Sequence, residues 1–358
     1  MTFKGKDPPL IPPCEGKKYK KNPYIYPNIF IMKKYKWGIL APGKMSGKFT
    51  KGIKLLGNAE LYAVGSRDIQ RAKEFSKEHG FKKYYGSYEE LAADPDLEIV
   101  YIASPHSFHK EHTLLCLQHG KHVICEKAFG INSAEVKAMT DEARKQKLFL
   151  MEAIWPPFQP FYKKAAEILD SGVLGKVIHL YGYFSFIPPY DPVDRKFNLA
   201  LGGGSLLDIG IYPVIDALTF IGVPDQVEAV ASFSPTGSEE SLNAIFQYNN
   251  GRSATIYSSF KTNNGIGCEI LCEKGNMIVS RGRDMNQRVI LELHGQQKQE
   301  FVFSPPAMGY HSEAKEVMKC LDEKKTESTI VPLSFSLDLI NILDRIRKSA
   351  GIIFPGKD

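Results

Sequence analysis

The sequence predicts an α/β protein: an N-terminal parallel sheet covered by helices on both faces, then a C-terminal α+β domain on a large, mostly antiparallel sheet. Three observations predict it. From Lys36 to Glu152, apolar strands alternate with helix-patterned stretches at the spacing of β–α–β units. Beyond Trp155, strand-like segments follow one another, some of them divided by tight turns such as Asn249–Gly251 and Lys274–Gly275. A glycine-containing turn comes directly after the first apolar strand. The predicted boundary lies near residue 155, so residues 36–155 form one domain and 156–358 the other.

The elements follow in order. Trp37–Ala41 reads as a short strand and the stretch to Leu56 as a helix. Ala59–Gly65 is a second strand. Asp68 caps a helix to His79, because its carboxylate can accept the free amide hydrogens of the first turn. Ile99–Ala103 is a strand and Ser107–Gln118 a helix stopped by Gly120. His122–Cys125 is a strand, and Asn132 or Ser133 caps a helix to Lys147. Leu148–Glu152 closes the series. In the second part, helix 161–171 and strand 177–186 precede a loop rich in Pro and Asp. Gly202–Gly204 opens a helix to Phe220, and strands are expected at 226–233, 242–248, 253–260, 268–273, 276–280, 289–292 and 301–303. Helices 311–322 and 333–350 end the fold.

Composition narrows the function. Of 358 residues 43% are hydrophobic and 24% charged, which suffices for a large core. The formal charge of +6 is unevenly spread. Residues 1–36 hold nine lysines against Asp7 and Glu15, a net +7, so the remaining chain carries about −1. A basic groove for nucleic acid on the body is therefore not expected. Residues 1–35 also hold six of the 22 prolines and read as a disordered basic extension, within which Met32 is an alternative start of translation. No signal-peptide form and no apolar run of about 18–20 residues is evident, so no membrane partner is expected. Six scattered cysteines form no disulfide framework. Cys268 and Cys272, on one strand face, lack a second pair at zinc spacing, so no metal is expected and the location reads as cytoplasmic.

Five clusters carry chemistry. The turn Ala41-Pro-Gly43-Lys44-Met45-Ser46 stands where a dinucleotide fold places G-x-G-x-x-G, with Ala41 and Ser46 as small substitutes. At the end of the second strand, Ser66 and Arg67 replace the acid that holds adenosine ribose hydroxyls. Arg67 can pair with a 2′-phosphate, and Arg71 lies one turn on, so NADP(H) is preferred and NAD(H) stays open. Ser104, Pro105, His106 and His109 follow the third strand at the ligand-facing edge, and Glu126 and Lys127 leave the next strand there. Lastly, Asp208 and Tyr212 sit four apart after the glycines and share a helix face.

Taken in order, these motifs resemble the glucose–fructose oxidoreductase / inositol dehydrogenase (Gfo/Idh/MocA) family from about Lys36 to Pro355. The segments 84–91, 150–155, 206–212 and 346–355 resemble its branch of dimeric dihydrodiol dehydrogenases and NADP-dependent D-xylose dehydrogenases. The resemblance implies a Rossmann domain and a homodimer or homotetramer assembled through the large sheet. It also implies hydride transfer to or from a CH–OH carbon of a sugar, polyol or cyclic trans-diol. Lys127 matches the lysine of an E-K-P motif, Tyr212 the acid/base, Asp208 its partner, and Trp155 a substrate contact. Ala128 stands for the E-K-P proline, which is expected to remove a cis bond, and Pro156–Pro160 is expected to reshape the pocket. A non-catalytic NADP(H) sensor and a reductase of imines or unsaturated bonds remain as alternatives.

Overall fold

The computed structural model describes residues 33–282 and 286–358. The basic extension lies outside them up to residue 32. In chain order the first half runs β1 (Tyr35–Leu40), α1 (Lys44–Ile53), β2 (Ala59–Gly65), α2 (Ile69–His79), β3 (Lys83–Tyr85), α3 (Tyr88–Ala93) and β4 (Ile99–Ile102), then α4 (His109–Gln118), β5 (His122–Glu126), α5 (Ser133–Gln146) and β6 (Leu150–Ala153). All six strands pair in parallel, in the order β3-β2-β1-β4-β5-β6. The chain therefore steps outward from β1 in one direction and, from β4, in the other. In open parallel sheets ligands bind at such a reversal, here at the carboxyl ends of β1 and β4.

Local chemistry starts most of these helices. Asp68 accepts from the amides of Gln70 and Arg71, Ser87 from Glu90, and Asn132 from Glu135. Each side chain satisfies a backbone donor that the first helical turn leaves free. Helix α1 has no such cap and no acid in its first turn. The sequence reading assigns nothing between His79 and Ile99, where the structure places β3 and α3. A three-residue strand and a six-residue helix are too short for a periodic signal, yet Ser87 and Glu90 form the spacing of a capping box, and Glu90 reaches back to the amide of Gly86 at 3.1 Å.

The second half runs α6 (Pro160–Asp170), β7 (Val177–Ser185), a π-helical turn Leu206–Gly210 continuing into α7 (Ile211–Phe220), β8 (Gln226–Phe233), β9 (Glu239–Gln247), β10 (Ser253–Ser259) and β11 (Gly265–Cys272). It ends with β12 (Gly275–Arg281), β13 (Gln287–Leu293), β14 (Gln299–Phe303), α8 (His311–Asp322) and α9 (Leu333–Ala350). The eight strands are ordered β14-β13-β12-β11-β7-β10-β9-β8, antiparallel except for β7 beside β10. One face packs under helices. The other exposes Ile178, Val230, Ile245 and Val302. Side chains at alternate positions such as Met277 and Val279 on β12 point into the core.

One helical stretch is long and apolar enough by composition alone to resemble a membrane span. Leu199–Phe220 passes by length and hydropathy, but 78% of its apolar window is buried inside the protein. Its hydropathy serves the core, where Ile211, Val214, Ile215 and Ala217 are all fully buried.

Candidate active site

Because the first sheet is parallel, the residues that leave β1, β2, β4 and β5 gather along one edge. The turn after β1 begins with Ala41 at φ 67°, a left-handed conformation that costs an L-residue roughly 1–2 kcal/mol. Its amide donates to the Gly65 carbonyl at 3.1 Å, and Ser46 Oγ donates to its carbonyl at 2.9 Å, so both ends of the residue are held. Gly43 occupies the cap position of α1. The amides of the first turn there, including those of Lys44 and Met45, lack a side-chain cap, which leaves them for an anion.

Beside this turn stand the cations expected from the sequence. Arg67 is exposed, with its guanidinium 5.9 Å from the Phe108 ring centre. Arg71 is exposed one turn along α2, close enough to Gly43 that a β-carbon there would lie 3.7 Å from its guanidinium. Ser66 is buried and accepts from the Asp68 amide at 3.2 Å. Asp68 is occupied as a helix cap.

The segment after β4 divides into a surface part and a brace. Ser104 Oγ meets His112 Nδ1 at 2.9 Å, and Pro105 leads into a short 3₁₀ turn. His106 Nδ1 donates to the Gly202 carbonyl at 3.1 Å, and burial pushes its pKa down to about 3, so its ring is neutral. His109, expected against a nucleotide, is corrected: it is fully buried, with ring nitrogens 2.7 Å from the Ala128 carbonyl and 2.8 Å from the Ser104 carbonyl. Burial pushes its pKa down to about 4, so one nitrogen donates and the second contact is not a full hydrogen bond at neutral pH. The ring ties the end of β4 to the loop after β5.

That loop carries a second correction. The Lys127–Ala128 peptide is cis without a proline. Neighbouring groups hold the segment: His109 contacts the Ala128 carbonyl, and the Phe129 amide donates to Glu152 at 3.0 Å. Glu126 accepts from the hydroxyl of buried Tyr101.

Lys127 meets the other expected residues here. Its Nζ donates to the backbone carbonyl of Asp208 at 2.6 Å, lies 3.8 Å from the Asp208 carboxylate, and sits 5.0 Å from the Tyr212 ring centre. Burial lowers the Lys127 pKa, against the pull of Asp208 and Glu126. Asp208 feels burial most, which favours its neutral form, but Lys127, Arg195 and His106 together hold its pKa below the usual value. Burial pushes the Tyr212 hydroxyl well above its ordinary range, and Arg281 opposes that shift. Tyr212 is therefore a protonated phenol at neutral pH. Phe184 packs edge-on against its ring at 5.6 Å, with Phe186 beyond.

The approach depends on the glycine cluster. At Gly202, φ is 77° and a β-carbon would come within 2.9 Å of the His106 β-carbon. The chain before the Asp208 turn thus lies directly on the segment after β4. Buried Glu239 accepts from the Leu206 amide at 2.6 Å and holds the start of that turn.

Comparisons with known proteins agree with this architecture. Residues 36–154 match a family model described as an oxidoreductase family with an NAD-binding Rossmann fold. Residues 162–278 match the C-terminal domain model of the same family. The chain belongs to the GFO/IDH/MocA oxidoreductase family. Two GFO/IDH/MocA relatives are the trans-1,2-dihydrobenzene-1,2-diol dehydrogenases of Bos taurus and Homo sapiens. They are 38% and 37% identical over 346 and 340 residues, each match covering 89% of this chain and 98% of the relative. Among solved structures, a levoglucosan dehydrogenase in complex with NADH and levoglucosan superposes with a TM-score of 0.81 at 19% identity, covering 89% of this chain and 98% of that one. An aldose-aldose oxidoreductase from Caulobacter crescentus gives 0.80 at 24% identity, with the same coverage. These two show the fold.

In this GFO/IDH/MocA chain the structure also assembles residues that the sequence reading missed. Arg195, from the Pro- and Asp-rich loop, binds the Asp208 carboxylate at 2.8 Å. Arg281 lies over the Trp155 ring at 4.9 Å, and Tyr310 is 6.2 Å from that ring. No local pattern marks them, since each meets its neighbour only through the tertiary fold. Trp155 itself, expected at the substrate, is buried and donates to the Met308 carbonyl at 2.9 Å.

Proposed function

We propose that this oxidoreductase is an NADP(H)-dependent dehydrogenase acting on a CH–OH carbon of a sugar, polyol or cyclic trans-diol. The observation that carries the reading is the convergence of Lys127, Asp208 and Tyr212 at the carboxyl edge of the parallel sheet. The dihydrodiol dehydrogenase relatives support the substrate class. The open amides of α1 fit a pyrophosphate, and Ser66, Arg67 and Arg71 fit a 2′-phosphate. When bound, the nicotinamide supplies the hydride acceptor or donor.

The protein's own groups handle the proton. In oxidation, Tyr212 in its phenolate form takes the proton of the substrate hydroxyl while the Lys127 ammonium stabilises the developing oxyanion. In reduction, the Tyr212 phenol returns it. Asp208, anchored by Arg195, holds Lys127 through both its carbonyl and its carboxylate. The five described cysteines are free and buried, which supports a reducing cytoplasm. The exposed apolar residues on the uncovered face of the large sheet support a homo-oligomer. The end of β6 at Ala153 supports a domain boundary near 155.

The direct test is NADP⁺ reduction with aldoses, inositols and cyclic trans-diols. Turnover of at least one class is expected; stable NADP(H) binding with no turnover across the panel would favour a sensor. For the cofactor, Arg67→Ala should weaken NADP(H) at least ~10-fold and NAD(H) less, because a charge-assisted contact to the phosphate is lost. Fluorescence titration reads both constants, and equal effects would refute the phosphate assignment.

A further inference from the structure

A cavity of about 240 Å³ is lined by Trp155, Arg281, Gln287, Ser304 and Met308 among others. Arg281 ends β12 on the side of the strand that carries Met277 and Val279 into the core, and pairs across the ladder with Gln287. A cation there is unusual, because the strand's other side chains on that side, Met277 and Val279, are apolar. Its guanidinium lies over the Trp155 ring at 4.9 Å, and no carboxylate among the described residues pairs with it. A contact with the ring face does not use up the guanidinium N–H groups, which can still donate to an anion.

Gln287 provides a second, independent observation. It is 2% exposed, its Nε2 reaches Gln159 Oε1 at 3.4 Å, and its own Oε1 has no hydrogen-bond partner. An orphaned buried acceptor costs about 1–3 kcal/mol, which a ligand hydroxyl donating to it would recover. Gln159 is itself fully buried and tied to the Gly309 carbonyl at 3.2 Å. Arg281 also acts electrostatically on the Tyr212 hydroxyl, and Tyr310 contacts the Trp155 ring, which links the cavity to the residues of the reacting centre.

We propose that this cavity is an anion subsite, and that the substrate is a hydroxylated carboxylate, such as a sugar acid, whose carboxylate pairs with Arg281 while a hydroxyl donates to Gln287. The assignment rests on the dehydrogenase reading for its place in a reaction, but its test needs no turnover. Calorimetry on the NADP⁺-loaded protein compares D-glucuronate, D-galacturonate and D-gluconate with neutral D-glucose and D-galactose. At least one acid is expected to bind ~10-fold or more tightly than its neutral counterpart, the scale of one charge-assisted contact. In Arg281→Gln that advantage should vanish, with thermal unfolding confirming that the variant is folded. Equal binding of acids and neutral sugars, no binding of any acid, or an advantage that survives in Arg281→Gln would each overturn the subsite. A dehydrogenase that turns over only neutral sugars or diols would keep the broader reading and lose this one. Acid binding without turnover would do the reverse.

Discussion

Lys127→Met lowers kcat by at least ~100-fold, the low end of the range for a group that acts on a proton or oxyanion in the transition state. Methionine keeps most of the length of the side chain and suits a buried position, so the change removes the charge with little loss of packing. The lysine is held in place by the Asp208 carbonyl at 2.6 Å, and its ammonium is 5.0 Å from the Tyr212 ring centre. Asp208 keeps Arg195 as a counter-ion after the substitution, so the variant does not leave a wholly unpaired buried carboxylate. Steady-state kinetics on a substrate from the NADP⁺ screen reads the effect, with circular dichroism as the fold check. Near-normal turnover would remove Lys127 from the scheme and with it the reading of the cluster as an active site.

Tyr212→Phe should cost ~100-fold or more as well, and its pH dependence identifies the cause. The substitution deletes one hydroxyl while the ring stays packed against Phe184. Burial raises the Tyr212 pKa, so the phenol is protonated through the neutral range and the phenolate grows in only as pH rises. Oxidation, which needs the base form, should therefore accelerate with pH in the wild-type protein, whereas reduction draws on the acid form already present. The phenylalanine variant should lose the acceleration along with the rate. A variant with full activity, or with the same upward pH profile at reduced rate, would assign the proton to another group.

Much of the fold was legible because it is written in short-range patterns. The apolar strands at 37–41 and 99–103, the Asp68 and Asn132 caps, and the closing helices 311–322 and 333–350 each depend on neighbours within a few residues, and the structure places them with small changes at their ends. The strand β3 and helix α3 escaped because they are too short to show a period. The site was legible in part, since parallel strands deliver their following residues to one edge whatever the loops do. Lys127 could be singled out as the residue leaving β5, and Asp208 with Tyr212 as a pair on one helical face. Their contact across 81 residues could not be read from spacing, nor could the burial of His109 or the retained cis bond at Ala128.

The sequence by itself determined the alternation of elements, the small-residue turn before α1, the replacement of an acid by Arg67, and family membership. These are consequences of local backbone preference and of residue identity at ordered positions. Only the tertiary structure decided that Arg195 anchors Asp208, that His109 braces rather than faces the site, and that Arg281 and Gln287 share a cavity with Trp155. The physical reason is that each of these depends on which side chain arrives opposite another after distant strands have paired. A charge or amide then becomes a counter-ion, a strut or an unfilled binding group according to the partner it meets there.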